Sequence, residues 1–272
     1  MDQYAVFGNP IAHSKSPFIH TMFAQQTGQL LHYEAILTPL KGFKEKVQQF
    51  FGQSGRGANI TLPFKQQAYE LADELSNAAQ LAGSVNTLLY DRGRIRGDNT
   101  DGVGLVRDLA FHNISLRQKS ILLLGAGGAA RGAILPILEQ QPDSLHIANR
   151  TATKAQELAR QFADYGNVSG GGLEQIPADN YALIINASSS GLSGDRPQIP
   201  QSLINNDSVC YDMVYGKGMT SFNLWAKKSG AARQLDGLGM LVEQAAQSFY
   251  LWRGVMPETQ AVREALRQHL FN

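Results

Sequence analysis

Between Lys119 and about Ala231, short runs of consecutive apolar residues alternate with stretches whose apolar positions recur at helical spacing. The run Ile121-Leu122-Leu123-Leu124, bounded by Ser120 and Gly125, predicts a strand buried on both faces. Ala129, Ala130, Ala133, Ile134, Ile137 and Leu138 then fall on one side of a helix. Pro136 removes a backbone donor there and predicts a kink. Further strands are expected over Leu145–Asn149, Tyr181–Asn186 and Val209–Val214, with a helix over Thr153–Phe162. Strands separated by helices predict parallel pairing through right-handed crossovers.

Upstream the alternation repeats with different punctuation. Tyr4–Phe7, Tyr33–Leu37, Ala58–Leu62 and Thr87–Tyr90 read as strands, and Pro17–Gln26, Phe43–Phe51 and Lys65–Leu75 as helices. Asp91-Arg92-Gly93, between Leu88-Leu89-Tyr90 and Arg94-Ile95-Arg96, predicts a hairpin, so this second α/β unit should carry a mixed sheet. The apolar face Leu238, Leu241, Val242, Ala245, Phe249 and Trp252 defines the last helical stretch, Leu238–Trp252, which could return to either unit. Ser169-Gly170-Gly171-Gly172 reads as a flexible loop.

The 272 residues exceed the size of one typical domain, which agrees with two units. Hydrophobic residues at 43% and charged residues at 17% describe an ordinary globular chain. With 24 Lys and Arg against 23 Asp and Glu, the charge gives no bulk attraction to nucleic acid or anionic membrane. One cysteine, Cys210, excludes an internal disulfide and a thiolate-rich metal site and suits a reducing cytoplasm. No apolar run approaches the about 20 residues of a membrane span. The six histidines show no ligand spacing, so no metal is expected.

Gly125-Ala126-Gly127-Gly128-Ala129-Ala130 follows a predicted strand and opens a predicted helix. Small residues in that setting permit a tight turn and let backbone N–H groups approach a pyrophosphate at a helix N-terminus. At the end of the next strand, an NAD site usually offers an acid to the adenosine ribose. Here Ala148-Asn149-Arg150-Thr151 and Lys154 supply no carboxylate and two cations, which favours NADP.

In the N-terminal unit, polar residues gather at predicted strand ends: Ser14-Lys15-Ser16, Asn59 and Thr61 before Lys65, Asn86-Thr87, and Asp98-Asn99-Thr100-Asp101. Ser16 before Pro17 also suits a helix N-cap. Together these groups suit a small polyhydroxylated molecule, with a lysine and an aspartate for proton transfer.

The segments Gly8-Asn9-Pro10-Ile11, Ser14-Lys15-Ser16-Pro17, Gly57-Ala58-Asn59-Ile60-Thr61, Pro63-Phe64-Lys65, Gly83-Ser84-Val85-Asn86-Thr87, Gly97-Asp98-Asn99-Thr100-Asp101-Gly102, Gly125-Ala126-Gly127-Gly128-Ala129, Asn149-Arg150-Thr151 and Asp236-Gly237-Leu238-Gly239-Met240-Leu241 occur in family order. In them, the chain resembles the NADP-dependent shikimate dehydrogenases over essentially its whole length. The resemblance implies an α/β protein of two α/β domains: a mixed-sheet substrate domain of residues 1–101 plus 237–272, and a Rossmann-like NADP-binding domain of residues 102–236, with the active site in their cleft. It implies Lys65 and Asp101 as the catalytic pair, and shikimate contacts from Ser14, Ser16, Asn59, Thr61, Lys65, Asn86, Asp101, Tyr215 and Gln244. NADP contacts would come from Gly125, Ala126, Gly127, Gly128, Ala129, Asn149, Arg150, Thr151, Lys154, Met213 and Gly237. Asn77 departs from the acidic residue of many relatives.

The implied reaction is reversible NADPH-dependent reduction of 3-dehydroshikimate to shikimate, in aromatic amino-acid biosynthesis, by a cytoplasmic monomer or homodimer. Two rivals stand beside it. One is a dehydrogenase of the same fold acting mainly on quinate and accepting NAD, whose NAD preference Arg150 and the missing strand-end acid oppose; a non-catalytic NADP-binding sensor would not need both Lys65 and Asp101.

Overall fold

The computed structural model describes residues 1–188, 190 and 194–271. The chain forms two compact units, residues 1–104 with 241–272, and residues 105–240.

The first unit carries strands β1 (Asp2–Gly8), β2 (Leu31–Leu37), β3 (Gly55–Ile60), β4 (Glu74–Leu75), β5 (Thr87–Asp91) and β6 (Arg94–Asp98) in the order β2-β1-β3-β5-β6-β4. β1 pairs parallel to β2 and β3, while β5 is antiparallel to both β3 and β6, so the sheet is mixed. The β5–β6 hairpin closes with Asp91 opposite Arg94; Arg92 and Gly93 both have positive φ, at 47° and 83°. That is the twist a two-residue connection requires. Helices α1 (Ser16–Thr27), α2 (Phe43–Gly52), α3 (Lys65–Leu71) and α4 (Asn77–Ala82) accompany the sheet. The expected helix over Lys65–Leu75 stops early, because Glu74 and Leu75 pair with Arg96 and Gly97. One core cluster joins Ala5, Phe7, Ala58 and Ile60 of the sheet to Phe43, Val47 and Phe51 of α2.

The second unit is an all-parallel sheet in the order β12-β11-β10-β7-β8-β9, from β7 (Ser120–Leu124), β8 (Ser144–Asn149), β9 (Val168–Gly172), β10 (Leu183–Asn186), β11 (Val209–Asp212) and β12 (Arg233–Asp236). This is the doubly wound order, whose reversal between β7 and β10 marks the usual ligand crevice. Ile121 to Leu124 are fully buried, as their uninterrupted apolar run requires. After α5 (Asp101–Phe111), the unit's helices include α6 (Gly128–Leu138), α7 (Ala152–Gln161) and α8 (Ser221–Lys228).

Ser169–Gly172 is not a flexible loop: it belongs to edge strand β9, paired along β8. A Cβ at Gly170 would stand 2.3 Å from the carbonyl oxygen of Ala155, so the glycine is where the α7 backbone lies directly on the strand. Pro136 lies within α6, which runs through it to Leu138. It stands in the last turn, where only one donor is lost, and its ring is buried.

Helix α9 (Leu238–Arg253) and α10 (Gln260–Phe271) complete the chain. From Leu241 onward they pack with the first unit. Trp252 Nε1 donates to the carbonyl of Leu88 at 3.0 Å, and its ring lies where any Cβ at Gly57 would stand. Arg263 of α10 donates to Glu243 of α9 at 2.7 Å in a buried pair.

Candidate active site

In the first unit, the ends of β1, β3, β5 and β6 bring one polar cluster together. Lys65 opens α3 and Asp101 opens α5; Lys65 Nζ lies 2.5 Å from Asp101 Oδ2, with side chains 29% and 13% exposed. The other carboxylate oxygen accepts from Asn86 Nδ2 at 2.8 Å. Asn86 also donates to Thr100 Oγ1 and to Gln244 Oε1 of α9, and its Oδ1 accepts from the backbone N–H of Thr100 at 2.9 Å. Asn59 is buried, its Oδ1 accepting from Tyr33 and His20 and the two hydrogens of its Nδ2 shared among Ser248, Thr87 and the Asn86 carbonyl. Its side-chain amide is therefore engaged within the protein.

Thr61 directly follows β3, with its N–H bonded to the carbonyl of Phe7. A Cβ at Gly8 would meet its methyl group at 2.5 Å, so Gly8 is what lets the two strand-end loops close on each other. Ser16 is not an N-cap. It is the first residue of α1, whose cap Lys15 makes no side-chain capping bond, while Ser14 Oγ accepts from the Ser16 N–H at 3.3 Å.

In the second unit, Gly125 has φ of +117°, and a Cβ there would come within 3.0 Å of the Ala187 carbonyl oxygen. Gly127 and Gly128 have open space where side chains would begin, at the N-terminus of the eleven-residue α6. Unfilled space over free helix N–H groups is what a pyrophosphate needs, so these residues fit a dinucleotide. Arg150 and Lys154 are exposed just beyond β8, and Asn149 Nδ2 donates to the Thr151 carbonyl at 3.0 Å. Met213 leaves β11 with its N–H bonded to the Asn186 carbonyl, and Gly237 lies against it so closely that a Cβ would stand 2.1 Å from the Met213 oxygen. Asn77, first residue of α4 behind the Ser76 cap, is exposed.

Three family models match the chain: the shikimate dehydrogenase substrate binding domain over residues 6–88, the shikimate/quinate 5-dehydrogenase domain over 108–192, and the shikimate 5'-dehydrogenase C-terminal domain over 237–267. The chain is 56% identical over 271 residues to the shikimate dehydrogenase (NADP(+)) of Photobacterium profundum, covering 99% of both chains. The chain belongs to the shikimate dehydrogenase family. It is also 54% identical to the shikimate dehydrogenase (NADP(+)) of Vibrio cholerae over 99% of this chain and 97% of that one. Among solved structures, shikimate 5-dehydrogenase from Thermus thermophilus, in complex with NADP(H) and shikimate, superposes with a TM-score of 0.88 at 35% identity, covering 99% of this chain and all of that one.

Ser248 and His20 organise the site without having been placed in it from sequence, and Thr100, read there only as part of a polar strand end, has a specific partner. Ser248 bonds Asn59 and Thr87, and Thr100 bonds Asn86. The signal for Ser248 was a polar residue one turn beyond Gln244, on the apolar face of α9. His20 is completely buried, and its imidazole is pushed down to about 3 by loss of solvent, so it stays neutral. Tyr215, in the second unit, has its phenol raised by burial and then by the Asp236 carboxylate, which keeps it a neutral hydrogen-bonding group.

Proposed function

We propose that this chain interconverts 3-dehydroshikimate and shikimate with NADP(H), and that Lys65 and Asp101 manage the proton. The single observation that carries the reading is the 2.5 Å Lys65–Asp101 pair at the polar strand ends, in a chain of this family.

When bound, NADPH supplies the hydride that reduces the ring ketone. Gly125 to Ala129 would hold its pyrophosphate, Asn149 to Lys154 its adenosine phosphate, and Met213 and Gly237 the nicotinamide end. Lys65 Nζ then donates its proton to the oxygen on which negative charge develops; in the oxidative direction the neutral amine takes the hydroxyl proton. Asp101 holds that nitrogen in place and accepts from the same hydroxyl. Ser14, Ser16, Asn59, Thr61, Asn86, Tyr215 and Gln244 complete the substrate set, either by direct contact or by fixing the groups that make it. In this reading residues 1–101 with 237–272 form the substrate domain and 102–236 the NADP domain.

A cytoplasmic monomer or homodimer suits the chemistry. The buried Cys210 thiol, pushed up to about 12 by burial, takes no part. Among the described residues, no helix is long and apolar enough to cross a membrane.

The test is nicotinamide absorbance with the purified protein, crossing shikimate and quinate with NADP and NAD. Turnover on shikimate with NADP should exceed the other three combinations. Preference for quinate or NAD would favour the broader dehydrogenase, and NADP binding without turnover the sensor.

A further inference from the structure

We propose that His20 is a positioning residue for the proton-transfer pair, acting through a one-way series of hydrogen bonds that ends on Asp101. The proposal rests on the assignment of Lys65 and Asp101 above.

Direction follows from two backbone groups. The Asn86 carbonyl can only accept, and it lies 3.3 Å from Asn59 Nδ2, so the Asn59 amide nitrogen must face that side. Asn59 Oδ1 therefore faces His20 Nε2 at 3.1 Å and Tyr33 at 2.8 Å, and both must donate to it. The Thr100 N–H can only donate, and it lies 2.9 Å from Asn86 Oδ1, so Asn86 Nδ2 is the atom that faces Asp101. Between the two amides, Thr87 Oγ1 accepts from Asn59 Nδ2 at 3.2 Å and donates to Asn86 Oδ1 at 2.8 Å.

Every donor thus points the same way: His20 to Asn59, Asn59 to Thr87, Thr87 to Asn86, Asn86 to Asp101 Oδ1. Asp101 Oδ2 is left to Lys65. Hydrogen bonds in such a series polarise and orient one another. Each member is buried, from 0% exposure at His20 to 9% at Asp101, so water cannot substitute for a lost link. At the head of the series, His20 is stacked on Tyr33 with centroids 4.3 Å apart and lies near Phe249 and Trp252. Its Nδ1 is buried with no hydrogen-bond partner among the described residues, which places the proton on Nε2. Burial keeps the ring neutral, so it remains a single donor at working pH. The aromatic stack fixes the ring, the ring fixes Asn59, and the chain of amides fixes the carboxylate that aims Lys65.

The experiment measures kcat, KM for shikimate, equilibrium NADP binding and thermal melting for His20→Phe, His20→Gln and Tyr33→Phe. His20→Phe keeps the stack and removes the donor; kcat should fall about threefold to tenfold, the effect of losing one neutral hydrogen bond, while NADP binding is unchanged. His20→Gln, which restores an N–H at that end, should recover kcat to within about twofold of the parent. Parental kcat in His20→Phe, or a folded His20→Gln as slow as His20→Phe, overturns the proposal. If His20→Phe does not fold, Tyr33→Phe decides: it deletes one oxygen from the same acceptor and should lower kcat by a similar factor, and parental kcat rejects the series. Asp101→Asn separates the two levels, since parental turnover there removes the catalytic pair itself, whereas a slow Asp101→Asn with a normal His20→Phe rejects only the relay.

Discussion

At the scale of single residues, the first unit concentrates its polar side chains where the sheet ends and satisfies nearly all of them internally. A buried amide without partners costs on the order of 1–3 kcal/mol, so Asn59 and Asn86 are tolerable only because each is fully engaged. Burial of His20 has a pH consequence. Its folded-state value is about 3 against 6.5 for a free imidazole, so between those pH values the unfolded chain binds the extra proton. Stability is intact above pH 6.5 and falls as pH drops through that window, by about 1.4 kcal/mol per pH unit from this group. Buried His146 contributes in the same direction. His20→Gln, which cannot titrate, should flatten the loss of denaturant stability between pH 6 and pH 4, and an acid slope equal to the parent's would contradict the assignment. Lys65 and Asp101 each have an ordinary structural explanation in sequence, a surface lysine and a helix N-cap, and it is the family resemblance that paired them; the structure brings them to 2.5 Å. His20 and Ser248 were not legible, because a lone histidine or serine in an apolar helix is ordinary until the fold brings Asn59 beside both.

At the scale of elements, periodicity identified most of the long strands and helices, but it missed the twelve-residue α10 and the elements whose stability comes from a neighbour. β9 is the plainest case: Ser169-Gly170-Gly171-Gly172 has no side-chain pattern to read, and only α7 explains its glycines. Gly170→Ala should destabilise by about 1–3 kcal/mol through a clash with backbone that cannot move alone. Gly171→Ala should be milder, since its Cβ would meet nothing closer than 3.7 Å. Chemical denaturation of the two variants compares them, and equal stabilities would remove the close-approach explanation. Strand β12 and helix α8 carried too little apolar pattern to be separated from loop, and their place follows from parallel pairing with β11. The end of β8 carries the cofactor prediction. Arg150 is exposed there with no carboxylate beside it in sequence. Arg150→Ala should lose a charge-assisted pair with the 2′-phosphate, about 1.5–3 kcal/mol or roughly tenfold to more than a hundredfold in NADP affinity. NAD affinity should change far less at the same ionic strength, and equal weakening of both would mean that Arg150 stacks on adenine or supports the fold instead.

At the scale of the whole molecule, the polar strand-end cluster around Lys65 and the glycine turn at Gly125 belong to different sheets. The mixed sheet was legible from the Asp91-Arg92-Gly93 hairpin signal and the parallel sheet from the buried run at Ile121. Patterning alone left the attachment of α9 open, since its apolar face suits either unit, and only the family resemblance gave residues 237–272 to the first; in the structure Trp252 of α9 packs against Gly57 and bonds Leu88 of that unit. Lys65 lies in the first unit and the glycine cradle in the second, so their contributions should be separable. Lys65→Ala tests this most directly, with shikimate turnover and equilibrium NADP affinity measured on the same preparation. Turnover should fall by orders of magnitude, because proton transfer acts in the transition state, while NADP affinity stays within about twofold of the parent. Near-parental turnover at the optimum pH would contradict the proton-transfer assignment, and a parallel collapse of NADP affinity would contradict the division of labour between the two units.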